Sequence, residues 1–164
     1  MFKKLCVLLS LFLLLCGCAQ KKGITPVLNN ISFTAEIDYG DTEFMANVTL
    51  DGDALNLVVT EPQEIKDLTL KVDKNGITAE FMGLRYTPDI DSLPQGAIIQ
   101  VLYEIFDDIS TSQNTSVCNE ENCEIKGELG DYEYKFIFSP SGLPISLYID
   151  QLDLEIKFKN VTVN

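Results

Sequence analysis

Residues 92–109 read SLPQGAIIQVLYEIFDDI, and this stretch decides the fold. Its beginning fits a capping box, with Ser92 at the N-cap position and Gln95 three residues later. The apolar residues that follow recur at helical spacing on two faces of the predicted helix. The polar stripe is narrow and comprises Gln100, Glu104, Asp107 and Asp108. A helix that is apolar around most of its circumference must be covered on most sides, which a curved sheet achieves and a flat sheet does not.

Alternating apolar and polar residues on both sides of this helix predict antiparallel strands. Before the helix, from Ser32 to Phe81, the alternation is interrupted by turn sequences such as Asp51-Gly52-Asp53 and Asn75-Gly76. After the helix, further strands run to Val163, and a shift in their phase predicts a bulge near Lys159-Asn160. The sequence therefore predicts an α+β fold in which about ten antiparallel strands form a strongly curved sheet around one central helix.

The first 18 residues form an export signal. Met1-Phe2-Lys3-Lys4 is positively charged, and the apolar run Leu5–Leu15 is short for a transmembrane helix. The sequence Leu15-Cys16-Gly17-Cys18 resembles a bacterial lipobox, which implies cleavage before Cys18 and attachment of a diacylglycerol to that cysteine. An ordinary signal peptide, with Cys16 and Cys18 as small residues near the cleavage site, is the other interpretation.

The lipobox resemblance implies a domain organisation and a location. Residues 1–17 are a lipoprotein signal peptide, 18–31 a lipidated tether, and 32–164 a single domain. Since two acyl chains give stable attachment to a bilayer, the protein is expected on the extracytoplasmic face of a membrane in the bacterial cell envelope. The membrane, reached through this anchor, is the first expected partner.

Composition excludes several classes of function. The chain has no histidine, which excludes Ser-His-Asp and Cys-His catalysis and histidine-containing zinc sites. Loss of Lys3 and Lys4 with the signal would leave 10 basic residues against 25 acidic ones, a net charge of −15. Such a surface repels phosphate backbones, so nucleic-acid binding is not expected. We predict that the protein is not an enzyme and that it has no catalytic residue, metal site or cofactor.

The carboxylates leave two functional alternatives to consider. An acid pair of the glycosidase type would draw on Asp89 and Asp91, or on Glu104, Asp107 and Asp108. A calcium ion would bind at Asp51-Gly52-Asp53, although the spacing is not that of an EF-hand. Helix caps, a solvated face and an ordinary hairpin turn explain the same residues.

Cys118 and Cys123 are the two cysteines beyond the N-terminal segment, and four polar residues separate them. This arrangement is typical of a hairpin tip, where a disulfide would join the two strands. Outside the cytoplasm, paired thiols usually oxidise. Free thiols and a redox-active pair remain as alternatives.

One helix between two groups of strands, behind a lipid anchor, resembles the LolA- and LolB-like half-barrel lipoprotein carriers, including their mycobacterial relatives LppX and LprG. The local likeness is clearest in Ser139-Pro140-Ser141-Gly142-Leu143-Pro144, in 152–158 and in Asn160-Val161. The resemblance covers 32–164 and implies a half-barrel whose sheet and helices enclose a cavity for acyl chains.

The helix residues have two interpretations, a filled core and the lining of a ligand cavity. For the second, the predicted lining residues are Ile98, Val101, Leu102, Ile105, Phe106 and Ile109. The first predicted function is accordingly binding or carrying a hydrophobic ligand, either a lipid or an acylated molecule. The alternative is a structural or protein-interaction lipoprotein that has an envelope protein as its partner and no small ligand.

Overall fold

The computed structural model describes residues 23–88, 97–112 and 115–164. The predicted signal peptide, the lipidation site Cys18, and the predicted capping residues Ser92 and Gln95 lie outside these ranges. The described residues form eleven strands and one α-helix, which we call α1. Their bounds are β1 Ile31–Tyr39, β2 Thr42–Asp51, β3 Ala54–Glu61, β4 Thr69–Asp73, β5 Gly76–Phe81, β6 Leu84–Tyr86, α1 Ile98–Thr111, β7 Val117–Cys118, β8 Cys123–Leu129, β9 Tyr132–Phe138, β10 Pro144–Ile149 and β11 Leu154–Val163.

All eleven strands belong to one antiparallel sheet, in the order β6-β5-β4-β3-β2-β1-β11-β10-β9-β8-β7. Each half of the sheet is a meander, and the halves join where the first strand pairs with the last. Ile37 of β1, for example, lies opposite Ile156 of β11. Helix α1 follows one edge strand, β6, and precedes the other, β7. The predicted antiparallel sheet with one helix is confirmed for the described residues.

The predicted bulge in the last strand is also confirmed. Ser32 pairs with Thr162, but Thr34 pairs with Lys159, so two residues of β11 lie opposite Phe33. Asn160 has a φ of 52°, the left-handed conformation that asparagine tolerates better than most residues. The extra residue explains the shift in apolar phase between Phe158 and Val161.

The hydrophobic core lies between one face of the sheet and α1. Alternate residues of β1 illustrate the pattern, since Ile31, Phe33, Ala35 and Ile37 are all buried. In the helix, Leu102 and Ile105 are fully buried. The centre of the core is an aromatic cluster, in which the Phe106 ring lies 6.2–6.3 Å from three other rings, centroid to centroid: Phe33 of β1, Phe136 of β9 and Phe158 of β11.

Helix α1 begins later than the capping box predicts. Ala97 occupies the N-cap position and supplies no side-chain cap, so the described helix starts at Ile98. At the other end, the backbone N–H of Ser112 donates to the Asp108 carbonyl oxygen at 2.8 Å. This bond closes the last turn, after which the backbone at Ser112 is extended.

A disulfide joins Cys118 and Cys123, which lie directly opposite each other at the end of the β7–β8 hairpin. The Asn119 side chain accepts the backbone N–H groups of Glu121 and Asn122 and thereby shapes the intervening loop. Cys123 is fully buried in the core, so the bridge connects the short edge strand β7 to the packed part of the sheet.

Replacing both cysteines, as Cys118→Ala/Cys123→Ala, should lower the free energy of unfolding by about 2 kcal/mol, because the bridge closes only a short loop. Urea unfolding of the oxidised protein and of the double variant measures this difference. In the presence of a reductant the two proteins should come much closer in stability. Equal stability under oxidising conditions would contradict the prediction.

Candidate functional site

A groove of about 400 Å³ lies between the C-terminal half of α1 and the β2–β3 turn. We call it the helix groove. Three elements form it: the end of the helix, the hairpin turn, and the segment that leads into β1. Its lining residues are Leu28, Asn29, Leu50, Gly52, Asp53, Tyr103, Phe106, Asp107, Ser110 and Thr111.

The segment 23–30 runs along one end of the sheet and brings Leu28 to the groove. The Ser116 hydroxyl donates to the Ile24 carbonyl oxygen at 2.9 Å, and the Val27 N–H donates to the Gly142 carbonyl oxygen at 2.8 Å. Gly142 has a φ of 89°, and a Cβ built there would lie 3.1 Å from the Thr25 carbonyl oxygen. A glycine at this turn therefore allows the segment to pack closely.

The floor of the helix groove is apolar. It consists of Leu28, Leu50 and Phe106, whose exposed fractions are 5%, 6% and 2%. All three belong to the hydrophobic core, so packed core side chains close the bottom of the groove. An apolar floor of this kind favours a hydrocarbon portion of a ligand over a polar one.

The rim of the helix groove is acidic. Asp53 and Asp107 are exposed at its edge, and the lining contains no lysine or arginine. Burial raises the pKa of the half-buried Tyr103, and the negative charges of Asp107, Asp53 and Asp73 raise it further. The rim is thus a region of negative potential beside an apolar floor.

Asp108 fixes the end of the helix next to the groove. Its carboxylate accepts the Ser112 hydroxyl at 2.5 Å and also the hydroxyl of Tyr134, which is buried on β9. The first bond lies within the end of the helix, and the second connects the last turn of α1 to β9 of the sheet.

Most of the predicted cavity-lining residues lie within the packed core. Val101, Leu102, Ile105, Phe106 and Ile109 are buried, and Ile98 is half-buried against the same core. Phe106 is the residue of this set that also lines the helix groove. The remaining lining residues were not predicted from the sequence, because Leu28 falls in a segment whose composition indicates a tether and Asp53 in an ordinary hairpin turn.

The acidic residues considered for calcium binding and for an acid pair are described only in part. Asp51, Gly52 and Asp53 lie at the β2–β3 hairpin, where Asp53 also lines the helix groove, and Glu104 accepts the Gln100 side-chain amide at 2.9 Å. Within 23–88, 97–112 and 115–164, no cluster of three or more acidic or cysteine side chains is arranged to hold a metal ion. Asp89 and Asp91 lie outside the described residues.

Two further grooves lie on the outer face of the sheet. One, of about 500 Å³, crosses β8, β9 and β10, where the Lys135 ammonium lies 4.6 Å from the centre of the Tyr148 ring. The other, of about 420 Å³, crosses β1, β2 and β11 and contains Glu36, Asp38 and Lys157. The first is lined mainly by charged and polar side chains, and the second combines charged residues with Phe44, Met45 and Pro62.

No protein-family model matches this chain, and no curated protein matches its sequence. In the part of the chain that the structure describes, no helix has both the length and the apolar character needed to span a bilayer.

Proposed function

We propose that this protein is a lipid-anchored lipoprotein of the bacterial cell envelope that binds a hydrophobic ligand, either a lipid or an acyl chain, in the helix groove. The observation that carries the proposal is the groove itself, which lies at the end of α1 and has the core residues Leu28, Leu50 and Phe106 in its lining. A groove of about 400 Å³ falls within the size range of small-ligand sites in proteins.

The proposal includes a sheet that curves around α1 as a half-barrel. Eleven flat strands would extend over about 48 Å at the usual strand spacing. A helix of 14 residues is about 21 Å long and about 10 Å wide and would leave much of such a sheet uncovered. Residues that face the helix side of the sheet are nevertheless buried even in strands next to its two edges, for example Ile77 of β5 and Ile125 of β8. Helix α1 contacts β3 and β4 in one half of the sheet and β8 near the opposite edge, which supports the same geometry.

The position of the anchor also supports lipid binding. Leu28 of the groove floor lies only ten residues after Cys18, and a chain of that length extends at most about 35 Å. A lipidated Cys18 would therefore keep the helix groove near the membrane surface. A ligand taken from the bilayer would have a short path to its site.

Native mass spectrometry of the full chain, isolated from bacterial membranes, tests ligand binding. We expect a second lipid mass that is lost on collisional activation, in addition to the covalent anchor. Ser110→Trp should abolish this mass, because a large ring at the exposed groove position fills the site. Lys126→Trp, an exposed substitution in the groove on the outer face, is the matched control and should retain it. Absence of bound lipid in the unmodified protein would refute ligand binding.

A single substitution, Cys18→Ser, tests the anchor. A serine cannot receive the diacylglycerol, so we expect nearly complete loss of the protein from the membrane fraction. Cell fractionation with immunoblotting measures the change, and metabolic labelling with an alkyne fatty acid should mark the unmodified protein and not the variant. Cys16→Ser is the matched control and should leave both labelling and fractionation unchanged. Labelling of the Cys18→Ser variant would contradict the lipobox assignment.

A specific observation favours the second candidate function, that of an envelope protein-interaction module. Met82, Leu84 and Tyr86 are 84%, 77% and 64% exposed at the β5–β6 hairpin, where β6 is an edge strand. Exposed apolar groups on an edge strand are a common feature of protein-docking surfaces. If the native protein carries no bound lipid, that result would favour the protein-interaction function over lipid binding.

A further inference from the structure

We propose that the Cys118–Cys123 disulfide sets the length of the tether that leads from the folded domain to the membrane. With the bridge intact, the segment 23–30 is attached to the domain from Ile24 onward, and after reduction it is attached only from Pro26 onward. This inference goes beyond the proposed binding of a ligand. Only its consequence for the distance from the membrane rests on the proposed lipid anchor.

The segment 23–30 is attached to the domain at two separate places. At the first, the Ser116 hydroxyl donates to the Ile24 carbonyl oxygen at 2.9 Å. At the second, Pro26 is buried, and the next backbone N–H donates to the turn before β10 at 2.8 Å. Ile24 is only half-buried and Thr25 is exposed, so side-chain burial alone holds this part weakly. The first attachment therefore depends on the position of Ser116, and the second does not.

Ser116 immediately precedes β7, and the disulfide is the main link between β7 and the rest of the sheet. Strand β7 has two residues and pairs with β8 through Val117–Glu124 and Cys118–Cys123. Val117 is 73% exposed, so little apolar burial holds this edge strand. So short a pair of strands is not stable by itself. Because Cys123 is fully buried in the core, the bridge fixes β7, and Ser116 with it, to the packed part of the sheet.

A dithiol reductant opens the bridge by thiol–disulfide exchange. Its thiolate attacks the sulfur of the half-buried Cys118 and forms a mixed disulfide, while the Cys123 sulfur leaves with the electron pair and takes up a proton. The second thiolate of the reductant then closes a disulfide within the reductant and releases Cys118, which is protonated in turn. The protein gains two electrons and two protons, and the dithiol is oxidised to a disulfide. Strand β7 thereby loses its covalent link to the sheet.

Release of Ile24 and Thr25 lengthens the tether. The six residues from Cys18 to Ile24 extend at most about 21 Å, and the eight residues from Cys18 to Pro26 at most about 28 Å. The reduced protein therefore reaches about one third farther from its anchor than the oxidised protein.

NMR relaxation of the backbone amide nitrogens tests this release. The full chain is isolated from bacterial membranes in detergent micelles, and dithiothreitol is the reductant. In the oxidised protein we expect order parameters of about 0.85 at Ile24 and Thr25, and reduction should lower both below about 0.6. Val27 and Leu28 should keep values of about 0.85, and Ala35 in the middle of the sheet should do the same if the domain stays folded.

The variant Ser116→Ala separates the hydrogen bond from the disulfide. It keeps the bridge but cannot donate to Ile24, so the order parameters of Ile24 and Thr25 should already be low in the oxidised protein and change little on reduction. Thr115→Ala, a substitution of the exposed neighbour, is the matched control and should respond to reduction as the unmodified protein does. Cys18→Ser should also respond normally, so failure of the lipobox assignment leaves this result intact.

Two results would overturn the inference. One is an unchanged order parameter at Ile24 and Thr25 after complete reduction, which alkylation of both thiols and mass spectrometry verify. The other is a loss of order that spreads to Val27 and Leu28, because the segment would then be released as a whole rather than divided at Pro26.

Discussion

Replacing Phe106 with alanine should lower the free energy of unfolding by about 3–5 kcal/mol, the range typical of phenylalanine truncation in a core. The ring is 2% exposed and packs edge-on or tilted against Phe33, Phe136 and Phe158. These three partners come from β1, β9 and β11, which surround the middle of the sheet. Removing the ring therefore takes contacts away from the helix and from both meanders at once.

Chemical denaturation, followed by circular dichroism, measures this loss, and Leu84→Ala is the matched control. Leu84 is 77% exposed on β6, so its truncation should change the free energy of unfolding by less than about 0.5 kcal/mol. A loss below about 1.5 kcal/mol for Phe106→Ala would mean that the aromatic cluster is not the centre of the core.

The sequence predicts most strands well because each has one buried face. In β1 the apolar residues Ile31, Phe33, Ala35 and Ile37 alternate with polar ones, and all four are buried. Period-two alternation is a direct consequence of strand geometry, so it is readable without tertiary information. The bulge at Asn160 was predictable for the same reason, since one extra residue reverses the phase.

The sequence does not predict elements whose residues are not buried. Strand β6 has three residues, all exposed, and its only strand partner among the described residues is β5. Its hydrogen bonds to β5 define it as a strand, yet three exposed residues are too few to indicate a strand from the sequence. The start of α1 at Ile98 is a similar case, because Ala97 carries no side-chain cap that a sequence pattern would indicate.

The helix groove could be predicted only in part. The apolar helix residues indicate that one side of a site would come from α1, and Phe106 does line the groove. Leu28 precedes β1, whereas Leu50 and Asp53 lie at the β2–β3 hairpin, and they meet because β1 pairs with β2, with Ile31 opposite Leu50. The sequence alone does not indicate that these residues lie close together. The polar residues around Leu28 also give no indication that its side chain is buried.

Gly127 has the second largest expected effect, because it makes room for a buried tyrosine. Gly127 of β8 lies directly opposite Tyr134 of β9, and the Tyr134 ring covers it. A Cβ built on Gly127 would meet the Tyr134 side chain at 2.3 Å, a distance that real atoms do not tolerate. Tyr134 is 2% exposed, and its hydroxyl donates to the Asp108 carboxylate on α1, so the ring has little freedom to move.

Gly127→Ala should therefore lower the free energy of unfolding by about 3 kcal/mol, at the upper end of the usual range for overpacked sites. Thermal and urea unfolding measure this value. Glu128→Ala, the neighbouring substitution on the exposed face of β8, should change stability by less than about 0.5 kcal/mol. A neutral result for Gly127→Ala would show that the tyrosine can leave its position over the glycine.

A double-mutant cycle separates this clash from other effects of the new methyl group. Tyr134→Ala alone should destabilise the protein, because it leaves a cavity beside α1 and removes the hydrogen bond to Asp108. In that background Gly127→Ala has no ring to meet, so its further cost should fall below about 0.5 kcal/mol, which gives a coupling energy of more than about 2 kcal/mol. Additive losses in the cycle would contradict the direct contact. A large coupling would instead establish that the cost of the added methyl group comes from the Tyr134 ring, the side chain whose hydroxyl donates to Asp108 on α1.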